Sequence, residues 1–149
     1  MSRATPQMRK LAKRLIAQEA REKKSSGTIS RAIFPVPEKL RPLLAALVGN
    51  GGFRVLLSRA LVLASPEVPW LRAVHVKADG SLAGPAGFEA QVDPEAIVAG
   101  RIAVLARLLE LLRDFIGENL TMQLIREVWP RLFLNVLSFA NGDENESEK

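Results

Sequence analysis

The stretch from Asp93 to Ile116 constrains the fold more than any other part of the chain. Asp93 is a favoured helix N-cap, Pro94 suits the first helical position, and Glu95 places negative charge where the helix dipole welcomes it. Ile97, Val98, Ile102, Leu105, Leu108, Leu109, Leu112, Phe115 and Ile116 then recur at helical steps. This spacing predicts a long α-helix with a broad apolar face, the central helix of a core. Arg101, Arg107, Glu110, Arg113 and Asp114 fall on its other faces, where Glu110 and Asp114, flanked by Arg107 and Arg113, are read as surface ion pairs.

The remaining chain supplies elements to pack against it. Residues 1–24 read as a basic amphipathic helix, capped by Thr5 ahead of Pro6, with Met8, Leu11, Ala12, Leu15 and Ile16 on one face. Residues 25–37 read as a linker, since Ser25, Ser26 and Gly27 are small and polar and Pro35 and Pro37 keep the chain extended. A helix-rich domain is expected over 38–140. Its first helix carries Leu40, Leu43, Leu44, Leu47 and Val48, and Pro42 is tolerable only within the first turn. Gly49-Asn50-Gly51-Gly52 reads as a turn into a second helix bearing Phe53, Leu56, Leu57, Ala60, Leu61 and Leu63, the pair forming an antiparallel hairpin.

Between about residues 70 and 92 the period changes to two. Val74 and Val76 alternate with His75 and Lys77, Asp79-Gly80 is a favoured two-residue hairpin turn, and Phe88, Ala90 and Val92 are candidates for a third strand. After the central helix, Met122 to Trp129 and Leu132 to Phe139 are helical runs divided by Pro130. Residues 141–149 form an acidic tail, with Asp143, Glu144, Glu146 and Glu148, of the composition expected of disorder. The expected fold class is α+β and predominantly helical, a helical bundle with a small docked β-hairpin.

Composition narrows the chemistry. The chain has 149 residues, enough for one domain that buries roughly 70% of its unfolded surface. There is no Cys, which excludes disulfides, thiolate metal sites and thiol nucleophiles, and the lone His75 excludes multi-histidine metal sites. No cofactor or metal is expected. No uncharged apolar run approaches the roughly 18 residues of a bilayer span, and Met1 to Lys24 is basic without a signal-peptide core, so a cytoplasmic protein with no transmembrane segment is expected.

The charge distribution suggests where such a chain binds. In the first helix Arg3, Arg9, Lys10, Lys13, Arg14, Arg21, Lys23 and Lys24 stand against Glu19 and Glu22, a net +6 where the whole chain carries +5. A basic amphipathic helix docks in an acidic protein groove, tracks nucleic-acid phosphates or lies on an anionic membrane; it also simply packs on its own domain with a solvated outer face. Peripheral membrane contact ranks lowest because the apolar face lacks Trp and Phe, and no recognition helix or stacking aromatics support nucleic-acid reading.

Trp129, between two helical runs, reads first as closing the core and second as an interface anchor at its edge, while Leu132, Phe133, Val136, Leu137 and Phe139 make the terminal helix apolar on more than one side and suggest a second surface. The expectation is a noncatalytic protein-protein interaction or adaptor protein, self-associating or bound to another protein. Its contacts would be Arg9, Lys10, Lys13, Arg14, Arg21, Trp129, Phe133 and Phe139. The alternative is a nucleic-acid-associated regulator using the basic helix. An enzyme would need Glu110, Asp114, Glu118, His75 and Arg72 to converge in a deep pocket.

Phe115-Ile116-Gly117-Glu118-Asn119-Leu120-Thr121, followed by Leu124, Arg126 and Trp129-Pro130, resembles a segment of uncharacterised bacterial proteins. Ala4-Thr5-Pro6-Gln7-Met8-Arg9 and the block from Val68-Pro69-Trp70 to Asp79-Gly80 are similar to the same group. The resemblance covers most of the chain and implies a bacterial source, with no activity or site attached.

Overall fold

Asp93 caps the central helix as its side chain accepts a hydrogen bond from the Glu95 amide at 3.2 Å. The computed structural model describes residues 5–26, 34–84 and 91–130. Among these the helices are α1 (Pro6–Ser26), α2 (Pro35–Ala64), α3 (Pro94–Ile116) and α4 (Glu118–Val128), with a 3-10 turn at Pro69–Ala73 and strands β1 (His75–Val76) and β2 (Leu82–Ala83). The fold is predominantly helical α+β, with α3 at its centre and α1 and α2 packed most extensively on it.

Every residue from 103 to 109 is buried, so α3 is enclosed on all sides through its middle turns. Arg107 is among them, correcting its expected place on a solvated face. Two apolar residues assigned to the core, Val98 and Phe115, are instead exposed near the ends of α3.

The first helix is part of this core. Thr5 caps it, accepting from the Met8 amide through its hydroxyl at 3.4 Å, and Ala12 and Leu15 are fully enclosed. α1 runs from Pro6 to Ser26, and its apolar face closes one side of α3. Burying that face stabilises the helix in a way that a short isolated helix in water lacks. Residues 27–33 of the expected linker lie outside the described residues.

In α2 the expected four-residue turn contracts to one residue. Gly49 alone leaves helical geometry, at φ 83° and ψ 158°, and Asn50, Gly51 and Gly52 already belong to the second limb. Arg41 before the break and Phe53 after it both come within 3.4 Å of a position beside Gly80. Pro42 sits beyond the first turn, where its missing N–H leaves the Glu38 carbonyl without its usual intrahelical donor. Val36–Ala64 is long and apolar enough to cross a membrane by length and composition, which the sequence reading did not foresee.

The β-hairpin is shorter than expected and turns differently. His75 pairs with Ala83 and Val76 with Leu82. The Gly80 amide donates to the Lys77 carbonyl at 2.9 Å and the Lys77 amide to the Ser81 carbonyl at 2.7 Å, which makes a three-residue loop in place of the two-residue Asp79-Gly80 turn. Gly80 has φ 90°, and an added Cβ would press on Arg41 and the Phe53 ring, so glycine meets both demands. Asp79 accepts from the Ser81 hydroxyl and amide at 2.6 and 2.9 Å, and these bonds hold its carboxyl below the usual range. Val92 lies outside either strand, and Phe88 and Ala90 lie outside the described residues.

Candidate binding surfaces

The basic residues of α1 divide by the face they occupy. Arg9 turns toward the body of the protein, donating to Glu67 at 2.7 Å. Glu67 also lies 3.8 Å from Arg107, which reaches Glu110 at 3.4 Å, and Glu110 in turn accepts from the Thr5 amide at 2.6 Å. Two cations and two carboxylates thus form a charge-balanced, largely buried chain fastening α1 to α3 and to the turn after α2. Arg14 is half-buried and has its own partner. Lys10, Lys13 and Arg21 are exposed, in line with exposed Gln7, Ala17 and Ala20 at helical spacing. Of the five predicted basic contacts, these three face solvent and Arg9 is committed to an internal ion pair.

Trp129 is fully buried, at 0% exposure. Its indole N–H donates to Glu19 Oε1 at 3.0 Å, and the same oxygen accepts from Lys39 Nζ at 2.9 Å. The Lys39 ammonium lies 5.7 Å from the centre of the Trp129 ring. One carboxylate on α1 therefore joins α2 to the residue that ends α4. Glu19, which the sequence reading counted only as a charge, has this structural role because a buried indole N–H needs an acceptor. Phe133 and Phe139 lie outside the described residues, as does the acidic tail.

The residues an enzyme would have required are placed apart from the described cavities. Asp114, Glu118, Arg72 and His75 are exposed, and Glu110 is engaged as above. Among the described residues no group of three His, Asp or Glu side chains is arranged to hold a metal ion.

A surface that sequence reading missed lies along the second limb of α2. An open groove of about 590 Å³ is lined by Arg54, Val55, Ser58, Arg59, Val62 and the β1 residue Val76. Val55 and Val62 are 67% and 69% exposed. The available signal was their seven-residue spacing, off the stripe formed by Phe53, Leu57, Ala60, Leu61 and Ala64, with an arginine beside each limb of the pattern. No protein-family model, curated protein or solved structure matches the chain.

Proposed function

We propose that this chain is a noncatalytic binding protein that docks an acidic protein partner on the outer face of α1. The observation carrying the proposal is the division of that helix. Its apolar face is enclosed against α3, while Lys10, Lys13 and Arg21 project outward without an ion pair among the described residues. Cations held on a packed helix lose little further backbone entropy on binding, which favours a preorganised surface. Ala17 and Ala20 between Lys13 and Arg21 leave the stripe shallow enough for a partner element to approach. Acidic protein is favoured over nucleic acid because small residues, and no aromatics, separate the cations.

The test is capture from native lysate with the wild-type chain and with a Lys10→Glu, Lys13→Glu, Arg21→Glu variant. Deleting α1 would strip a packed face from α3, so charge reversal is the cleaner change. Each substitution is expected to alter stability by no more than about 0.5 kcal/mol, while affinity for the captured partner falls at least about tenfold. Recovery of the same partners by the folded variant would sink the proposal. Loss of capture after nuclease treatment, with a steep salt dependence, would replace it by the nucleic-acid reading.

A further inference from the structure

We infer that the α2 groove receives the exposed Phe115 of a second copy of this chain, joining copies head to tail. This contact uses surfaces separate from the α1 stripe and stands independently of the function proposed above.

Both halves of the contact lie on the described surface. On one side Val55 and Val62 present apolar side chains to an open groove, between Arg54 and Arg59, which are exposed and form no ion pair or hydrogen bond among the described residues. On the other side Phe115, 65% exposed, is the largest apolar side chain the described surface presents. Asp114 precedes it and Glu118 follows across Gly117, both exposed and likewise without ion pairs among the described residues. An exposed aromatic ring with a carboxylate before and after it in sequence complements an apolar groove lined by two guanidiniums in chemistry and charge. Burial supplies the attraction, and the charge pairs set orientation.

When the groove of one copy takes the ring of a second while its own ring enters the groove of a third, the contact is heterologous. The growing assembly then always keeps one free groove and one free phenylalanine, and association continues into short chains or a closed ring. A single aromatic anchor with a polar rim gives a small interface, of the weak and transient class.

The contact is tested by sedimentation velocity of the full chain from about 1 µM to about 1 mM, a range that spans weak affinities. Wild type is expected to sediment faster as concentration rises. Phe115→Ala and the double variant Val55→Asp, Val62→Asp alter exposed positions, and circular dichroism checks that each folds. Each alone is expected to stay monomeric. Mixed in equal amounts they are expected to pair and stop at a heterodimer, because one variant keeps the groove and the other keeps the ring. A monomeric wild type throughout the range overturns the inference. So does continued association of either variant, or a mixture that stays monomeric, the pattern of a symmetric contact. Binding of monomeric wild type to anionic phosphatidylserine vesicles, lost in the valine variant, would assign the groove to a membrane instead.

Discussion

Trp129→Ala is expected to lower the unfolding free energy by about 3–5 kcal/mol, as truncations of a fully buried aromatic side chain do. The indole is wholly enclosed, and its N–H satisfies Glu19 at 3.0 Å while Lys39 lies over the ring. Alanine leaves a cavity where α1, α2 and the end of α4 meet, and leaves a buried carboxylate oxygen with one bond fewer. Domains of this kind have total stabilities of roughly 5–15 kcal/mol, so the variant should be close to its folding threshold. Denaturant unfolding followed by circular dichroism measures the loss. Trp129→Phe, which keeps most of the ring and deletes the donor, should lose less, about 1–3 kcal/mol. A loss below about 1 kcal/mol for alanine would be typical of a surface residue and would return Trp129 to the role of partner anchor.

Gly100→Ala should destabilise even though alanine is the better helix former by about 1 kcal/mol. Gly100 faces the indole of Trp70, and an added Cβ would lie within 2.9 Å of Trp70 Cε2 and 3.1 Å of its Cη2. The indole has little freedom to retreat. Its N–H donates to the Ala96 carbonyl at 2.8 Å, and its ring stacks on Phe34 with centroids 6.2 Å apart. Overpacking of this sort costs about 1–3 kcal/mol, enough to reverse the propensity gain. Thermal unfolding measures it. A variant that is more stable than wild type would mean that Trp70 is not held against α3.

The central helix was legible because its cap, period and stop agree. Asp93 and Pro94 begin it, and Gly117, at φ 92°, follows Ile116 where the pattern ends. The amphipathic pattern of α1 was equally plain, but periodicity reports that a face is apolar, not what covers it. Glu19, Arg9 and Arg107 read as surface charges because their partners are Trp129 and Glu67, far away in sequence. Phe115 read as core for the converse reason. It keeps the helical spacing into the last turn of α3, where its side chain is exposed. The hairpin loop differed by one residue because Asp-Gly serves both two-residue turns and three-residue loops, and strand pairing across Val76 and Leu82 decides between them.

The central claim is that α1 is divided, its inner half built into the fold and its outer half left for a partner. Native-state amide hydrogen exchange of the free chain tests it most directly, since exchange reports the free energy of opening segment by segment. The account predicts that amides around Ala12, Leu15 and Glu19 are protected nearly as strongly as those from Ala103 to Leu109 in α3. Exchange of α1 at the rate of an open chain, with α3 still protected, would contradict it and make the first helix a free amphipathic segment.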